Sequence, residues 1–325
     1  MSHNIVVIGP SKVGKTALVA SLAHSANVIS YAFRDEDVNV RCLPNNNYTR
    51  SFFNQSMDII KYNKITFPGT ATIFDYEITL EAPHIEATFV DRIMSLIGIG
   101  EPKQCIINFP DAPGGALFPG DNDEYDDAVN NNFRATIVSR LKTTHGLMIC
   151  LDASYLRPND KDEYDIKSVA LAFTKWLPDV FHEILQEESK TTLNIKRVCF
   201  VLTKSDLWAH LNNLGDNAYS SVVNRNAYIH AKDILGAQFF HTIRQYFDED
   251  TEFSFCMSSV FGFHNGRVNN HFLANMDKRI ENVEQIDISV NDWKPYNVIE
   301  PFIHLLNGDN IDNRIIEKTW HQMGE

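Results

Sequence analysis

Two glycines, a lysine and a threonine near the start of the chain have the spacing of a loop that binds polyphosphate. Residues 9–16 read GPSKVGKT, which matches the pattern G-x-x-x-x-G-K-[ST]. Gly9 and Gly14 allow backbone conformations that a Cβ would obstruct, so successive N–H groups can point inward at phosphate oxygens. Lys15 is expected to reach the β- and γ-phosphates, and the hydroxyl of Thr16 is expected to ligate Mg²⁺. The candidate phosphate-binding residues are Gly9, Pro10, Ser11, Lys12, Val13, Gly14, Lys15, Thr16 and Ala17.

The residues on both sides of this loop predict the strand and the helix that it needs. Residues 5–8 are all Ile or Val, which is typical of a buried strand. Residues 17–23 favour a helix, whose N-terminus would add partial positive charge beside the phosphates. The alternative, a chance glycine-rich turn, does not account for a strand before the loop and a helix after it.

A second motif, D-x-x-G, follows the apolar run at 105–109, which is predicted to be a strand. Within it, Asp111 can hold Mg²⁺ through a water molecule, and the N–H of Gly114 can contact the γ-phosphate. An acidic segment with five carboxylates follows at 121–127. Such a run either binds a cation or is a solvated loop, and we favour the solvated loop.

A third motif, T-K-x-D, follows the apolar run at 198–202 and could recognise a nucleotide base. The carboxylate of Asp206 could accept hydrogen bonds from guanine N1–H and from the 2-amino group, whereas adenine has no such pair of donors. The stem of Lys204 could lie over the base plane. Ser258 and Ser259, after a later predicted strand, could place a backbone N–H at guanine O6. In the alternative interpretation, Asp206 is an ordinary helix N-cap in a strand-to-helix turn.

Apolar, strand-like runs alternate with amphipathic helical patterns along the chain. This alternation predicts an α/β fold in which a mostly parallel sheet has helices on both faces. We expect the three-layer architecture of P-loop NTPases, with the segment 72–80 as one antiparallel edge strand. The predicted domain spans residues 1–265 and includes an insertion at 81–103. A helical extension, 266–325, is expected to pack on the same domain.

The composition argues against some partners and favours one compartment. The chain has 325 residues, a net charge of -13 and a pI near 5.3. An acidic surface is unfavourable for binding the nucleic-acid backbone or anionic lipids. No apolar run is long enough for a membrane span. Five cysteines without a C-x-x-C pair predict buried free thiols, and the early first strand leaves no room for a signal peptide, so a cytoplasmic location is expected.

The order and placement of the motifs resemble those of the translation-factor-related (TRAFAC) class of P-loop GTPases over residues 9–260. Residues 67–70 (FPGT) and 293–295 (WKP) are similar to a bacterial group within that class, the double-GTPase-like proteins. The chain departs from the class at Thr203, where members usually have an Asn that helps to tie loops together.

The resemblance implies roles for residues outside the three motifs. Thr70 would be the switch threonine that closes on Mg²⁺ and the γ-phosphate, and Thr49 and Thr66 are the other candidates. Ras-like members orient the attacking water with a Gln after the D-x-x-G glycine, whereas this chain has Gly115. Hydrolysis by the isolated protein is therefore expected to be slow.

Together these features predict a protein that binds GTP or GDP with Mg²⁺, hydrolyses GTP slowly and acts as a molecular switch. The candidate catalytic residues are Lys15 and Thr70, and the metal ligands would be Thr16, Thr70 and Asp111. The remaining candidate nucleotide-binding residues are Gly114, Thr203, Lys204, Asp206, Ser258 and Ser259.

The site would also need a positive group for the charge that develops during hydrolysis. A protein partner or a homodimer is the expected source of the missing catalytic groups. Arg134 and Arg140 are candidates within the chain, although nothing in their spacing singles them out. The alternatives to a GTPase are a non-hydrolysing nucleotide-bound scaffold and a P-loop ATPase or small-molecule kinase.

Overall fold

The protein is built around one eight-stranded sheet in the computed structural model. The structure describes residues 3–10, 13–32, 40–62, 74–82, 103–111, 127–156, 163–269 and 294–325. The sheet contains β1 (His3–Ile8), β2 (Arg41–Pro44), β3 (Phe74–Ala82), β4 (Lys103–Asp111), β5 (Gly146–Asp152), β6 (Arg197–Thr203), β7 (Glu252–Met257) and β10 (Ile316–Lys318). A separate two-stranded ribbon contains β8 (Phe263–His264) and β9 (Arg267–Val268).

The five central strands are parallel, as the sequence predicts. Across the sheet the order is β10-β7-β6-β5-β1-β4-β3-β2, and the strands from β7 to β4 all run in one direction. The segment predicted as the antiparallel edge strand forms β3, which pairs antiparallel with β4 and, on its other side, with β2. At the opposite edge β10 pairs antiparallel with β7. β2 and β10 are too short to show an alternating pattern, so sequence reasoning missed them.

Helices cover both faces of this sheet, as predicted. They are α1 (Lys15–Ala20), α2 (Leu22–Ala32), α3 (Asn47–Tyr62), α4 (Asp127–Lys142), α5 (Glu163–Glu188), α6 (Ser205–Leu211), α7 (Ala218–Val223), α8 (Ala227–Leu235), α9 (Ala237–Ile243) and α10 (Glu300–Asn307). None of these described helices is both long enough and apolar enough to pass through a bilayer.

Successive residues of each central strand point into two separate apolar layers, because side chains alternate along a strand. In β1, Val6 and Ile8 face the layer that contains the buried sides of α4, α5, α8 and α9. Ile5 and Val7 face the other layer, which contains buried residues of α1, α2 and α10. The result is the three-layer α/β arrangement expected from the alternation of strands and helices.

The C-terminal residues belong to the same sheet and core. Phe302 and Ile303 of α10 are fully buried in the second apolar layer, and β10 extends the sheet beyond β7. The predicted boundary at 265/266 stays a prediction, and most of the predicted insertion at 81–103 lies outside the described residues. All five cysteines are buried free thiols, as the sequence predicts.

Candidate nucleotide-binding site

The predicted phosphate loop follows β1 and leads into α1, which is the context that the motif requires. Gly9 approaches the backbone of β5 so closely that a Cβ would lie 2.4 Å from the carbonyl oxygen of Cys150. Gly14 is the N-cap of α1 with φ 93° and ψ 14°, a left-handed conformation that favours glycine. Both glycines of the motif are therefore required by the local backbone. Ser11 and Lys12 lie outside the described residues.

Lys15 is the buried basic residue of this loop. Its Nζ donates hydrogen bonds to the carbonyl oxygens of Gly9, at 2.9 Å, and of Pro10, at 2.8 Å. These bonds hold the ammonium against the loop backbone, where a bound polyphosphate would meet it. Thr16 and Ala17 follow in the first turn of α1, and both are half-buried.

Thr203 ties the phosphate loop to the centre of the sheet. Its hydroxyl hydrogen-bonds the carbonyl oxygen of Val13 in the loop and lies 2.9 Å from the carbonyl oxygen of Leu151 in β5. A hydroxyl has one proton, so it can donate fully to only one of these two acceptors at a time. Thr203 thus ties the loop to the sheet, as Asn usually does at this position in the GTPase class that the sequence resembles. A threonine hydroxyl has one hydrogen-bond donor, whereas an asparagine amide has two.

Lys204 crosses the phosphate loop and is fixed by an acidic partner that sequence reasoning missed. Its Nζ lies 2.7 Å from Oδ2 of Asp152, and a Cβ placed on Gly14 would lie 3.7 Å from its Cε. The other oxygen of Asp152 accepts hydrogen bonds from the N–H of Ser154, at 2.9 Å, and from its hydroxyl, at 2.6 Å. An Asp at the end of β5 with a Ser two residues later was the available signal, and the register of β5 with β6 places Asp152 opposite Thr203.

Asp206 lies in the first turn of α6 with its carboxylate buried. Burial raises its pKa to about 6, although hydrogen bonds from the Ser259 hydroxyl and from the backbone N–H groups of Asp206 and Leu207 oppose that rise. Among the described residues, nothing donates a hydrogen bond to its Oδ2. A buried acceptor without a protein donor is costly unless a ligand supplies one. The predicted role of Asp206, to accept two N–H donors of guanine, stays a prediction.

The backbone N–H groups of Ser258 and Ser259 both form hydrogen bonds within the protein. The N–H of Ser258 donates to the carbonyl oxygen of Leu202 at 2.8 Å, and the N–H of Ser259 donates to the carbonyl oxygen of Tyr296 at 2.9 Å. The expected backbone contact of Ser258 or Ser259 with guanine O6 would require one of these bonds to be exchanged, and it stays a prediction. Ser259 also contributes its hydroxyl, which hydrogen-bonds Asp206 and accepts the N–H of Gly262 at 2.8 Å.

Two of the predicted Mg²⁺ ligands, Thr16 and Asp111, belong to the part of the chain that the structure describes. Thr16 follows β1 and Asp111 ends the neighbouring strand β4, where its backbone is paired with Phe74. Within the described ranges, no group of three or more His, Cys, Asp or Glu side chains could hold a metal by itself. Mg²⁺ commonly keeps one or two protein ligands and takes the rest from waters and substrate phosphates.

Several predicted residues lie outside the described part of the chain, so their placement stays a prediction. These are Thr66, Thr70, Gly114, Gly115 and residues 121–126 of the acidic segment. Thr49 is described, and it is buried in the first turn of α3, where its N–H donates to Asn46 Oδ1 at 2.7 Å.

Both arginines that are candidates for an internal source of positive charge form ion pairs. Arg134 Nε lies 2.7 Å from Glu183 Oε2, which connects α4 with α5. Arg140 lies 3.0 Å from Glu77 Oε1, which connects α4 with β3. These contacts give both residues a role in packing α4 against its neighbours.

Comparison with known proteins adds little to this geometry. No protein-family model matches the chain, and no curated protein matches it. A solved structure of the signal recognition particle receptor SRβ–GTP/SRX complex from Chaetomium thermophilum is similar at 14% identity, covering 81% of this chain and 93% of that one, with a TM-score of 0.37. The G domain of the T. maritima FeoB iron transporter is similar at 13% identity, covering 85% and 97%, with a TM-score of 0.27. At these TM-scores neither likeness carries an argument, and the α/β assignment depends on the strand order of this chain.

Proposed function

We propose that this protein binds GTP with Mg²⁺, hydrolyses it slowly and acts as a nucleotide-dependent switch. The observation that carries the proposal is the buried carboxylate of Asp206, whose Oδ2 receives no hydrogen bond from the described residues. This acceptor lies two residues after Lys204, the N-cap of α6, which crosses the phosphate loop at Gly14. The acceptor that would recognise the base thus lies close to the loop that would bind the polyphosphate.

The described contacts support separate roles for the two ends of the nucleotide. Backbone N–H groups of the phosphate loop and the ammonium of Lys15 would bind the phosphates. The hydroxyl of Thr16 would hold Mg²⁺, with Thr70 and Asp111 completing the protein ligands. Mg²⁺ would neutralise the charge of the β- and γ-phosphates. At the other end, Asp206 would accept both donors of guanine while the stem of Lys204 covers its ring.

Slow hydrolysis follows from the residue after the D-x-x-G motif. Gly115 has no side chain with which to orient an attacking water molecule. Arg134 and Arg140 are engaged in ion pairs that hold α4. A protein partner or a second copy of the chain would supply the missing groups, and a supplied arginine alone can raise the rate about 10³–10⁵-fold. The switch would then consist of ordering and release of the segments around Thr70 and after Asp111.

Competition binding tests the assignment of the base. In this assay a fluorescent GTP analogue is bound with Mg²⁺, and unlabelled GTP, ATP or inosine triphosphate is added as the competitor. Inosine triphosphate keeps O6 and N1–H of the base but lacks the 2-amino group. We expect ATP to compete about 100-fold more weakly than GTP, because a site built to hydrogen-bond the base rejects one that lacks the donors. Equal competition by ATP would favour the ATPase or kinase alternative.

Single-turnover hydrolysis over a wide range of protein concentrations tests the switch. A slow rate that rises with concentration would identify a homodimer as the source of catalytic groups, and a rate that rises only with a candidate partner would identify the partner. A fast rate that is unchanged on dilution would mean that the chain already positions the water. No turnover under any of these conditions would favour the non-hydrolysing scaffold.

A further inference from the structure

The segment 294–297, here named the C-terminal strap, lies against the loop that follows β7. Tyr296 and Ser259 form a pair of reciprocal backbone hydrogen bonds. The N–H of Tyr296 donates to the carbonyl oxygen of Ser259 at 2.8 Å, and the N–H of Ser259 donates to the carbonyl oxygen of Tyr296 at 2.9 Å. The two residues are 37 positions apart, and the bridge between them is antiparallel. The strap therefore holds the backbone of the residue whose side chain contacts Asp206.

Two further contacts fix the strap in this position. Asn297, which has a left-handed φ of 53°, donates from Nδ2 to the carbonyl oxygen of Met257 at 3.0 Å. The carbonyl oxygen of Lys294 passes so close to Gly262 that a Cβ there would lie 1.9 Å from it. Close packing of this kind leaves no room for the strap to shift without moving the loop.

The ring of Tyr296 anchors the strap between separate elements. Its centroid lies 5.9 Å from that of Tyr219 in α7 and 5.8 Å from that of Phe263 in β8, both in edge-on geometry. The guanidinium of Arg314 lies 5.3 Å from the same ring. Aromatic and cation–π contacts of this geometry stabilise a buried ring beyond the area that it buries.

The consequence for the site runs through Ser259. Its backbone is held by the strap, its hydroxyl accepts the N–H of Gly262, and the same hydroxyl hydrogen-bonds the carboxylate of Asp206. The start of α6, which contains Asp206, is also tied to this region, because the N–H of Ser205 donates to the carbonyl oxygen of Ser258 at 3.0 Å. The strap thus contacts the backbone of the residue whose hydroxyl hydrogen-bonds the carboxylate of Asp206.

We propose that the C-terminal strap is a specificity-determining element, which positions the Ser259 hydroxyl so that Asp206 presents its unpartnered oxygen to guanine. This inference rests on the proposed function, and it assigns Tyr296 and Asn297 as positioning residues that do not touch the base. Displacing the strap should reduce discrimination between bases and leave phosphate binding nearly unchanged.

Gly262→Ala displaces the strap and retains the side chains of Ser259 and Asp206. Because the N–H of residue 262 also donates to the Ser259 hydroxyl, Asn297→Gly, described below, separates the effect of the strap from that of this bond. Gly215→Ala is the matched control. The φ of Gly215 is 51° and that of Gly262 is 66°, so both backbones are left-handed, but a Cβ added to Gly215 would have no atom within 4 Å. We expect Gly262→Ala to lower the affinity for GTP about tenfold relative to inorganic triphosphate, because a hydrogen bond to a charged group is misdirected. The control should leave that ratio unchanged. Equal losses for GTP and triphosphate in Gly262→Ala would overturn the inference.

A second readout does not require nucleotide binding. The carboxyl carbon of Asp206, assigned by comparison with Asp206→Asn, can be followed by NMR as the pH of the nucleotide-free protein is changed. Because the Ser259 hydroxyl lowers the pKa of Asp206, displacing the strap should raise the midpoint of this titration. An unchanged midpoint in Gly262→Ala would overturn the inference even if GTP binds, and a raised midpoint would support it even if GTP does not.

If Gly262→Ala fails to fold, Asn297→Gly provides the same test. Glycine keeps the left-handed backbone of position 297 but removes the bond to Met257. We expect a smaller change in the same direction, a loss of a few-fold in the ratio of GTP to triphosphate affinity. Tyr296→Phe keeps the backbone bridge and the ring, so it should behave as the wild type. A loss of discrimination in Tyr296→Phe as large as in Asn297→Gly would contradict the assigned backbone role.

Discussion

The proposed phosphate-binding half of the site and the proposed base-binding half are assembled from very different lengths of chain. The phosphate loop is local: Gly9, Gly14 and Lys15 lie within seven residues, and their conformations depend on one strand–loop–helix unit. The base-binding half takes Asp152 from β5, Lys204 and Asp206 from the loop after β6, and further residues from the loop after β7 and from the strap. A local motif is visible as a pattern, whereas a long-range assembly is visible only once the chain is folded.

This difference implies that substitutions in the two halves should have different signatures. A change in the phosphate loop should weaken all triphosphates alike, because every nucleotide has the same phosphates. A change in the base-binding half should alter the ratio between nucleotides. Substitutions in each half, and at the residue that joins them, can test whether that division holds.

The largest effect is expected for Lys15→Ala. The substitution removes a charge-assisted contact of about 1.5–3 kcal/mol, which corresponds to more than a tenfold loss in affinity. GTP, inosine triphosphate and inorganic triphosphate should all lose affinity by a similar factor in equilibrium titrations. Lys196→Ala, which removes an exposed lysine paired with Asp250, is the control and should bind as the wild type. A folded Lys15→Ala protein with unchanged GTP affinity would show that the loop does not bind phosphate.

The next effect is expected for Asp206→Asn, which should change preference more than overall affinity. An amide offers a donor where the carboxylate offers an acceptor, so GTP should bind about tenfold more weakly and xanthosine triphosphate, with a 2-oxo group, more tightly. Inorganic triphosphate should bind equally to both proteins. A parallel loss for GTP, xanthosine triphosphate and triphosphate would mean that Asp206 has only a structural role, as a helix N-cap residue.

The sequence alone predicts the parallel core of the sheet, the helices on both faces and the phosphate loop, because each of these depends on a local pattern. It also locates Thr203, Lys204 and Asp206 at one strand end. It does not reveal the ion pair of Asp152 with Lys204 or the bridge of Tyr296 with Ser259, since these partners are 52 and 37 residues apart and no spacing links them. The short strands β2 and β10 were missed because a run of three or four residues has no periodicity to detect.

An intermediate effect is expected when the pH is lowered. The pKa of Asp206 is raised to about 6, and in the proposed function guanine would bind the ionised form, whose oxygens would accept its two donors. By linkage, the affinity for GTP should approach its maximum well above pH 6, should be about half of that maximum near pH 6, and should fall further at lower pH. The γ-phosphate also titrates in this range, so the measured quantity is the ratio of GTP to inorganic triphosphate affinity. In Asp206→Asn this ratio should no longer depend on pH between about 5 and 7, and a wild-type ratio that is flat over the same range would contradict the assignment.

The smallest effect is expected at Thr203, which connects the two halves. Its single proton is shared between the carbonyl oxygens of Val13 in the phosphate loop and Leu151 in β5. Thr203→Val keeps the shape of the side chain and removes the proton, which should cost about 1 kcal/mol in the free energy of unfolding and reduce GTP affinity a few-fold. Thr203→Asn offers two N–H donors, one for each carbonyl, and should restore both quantities to the wild-type level or above it. Because the contact joins the halves, the loss in Thr203→Val should extend to inorganic triphosphate as well as to GTP. If triphosphate binding is unaffected while GTP binding falls, Thr203 belongs to the base-binding half alone, and the two halves are less connected than the hydrogen bond to Val13 implies.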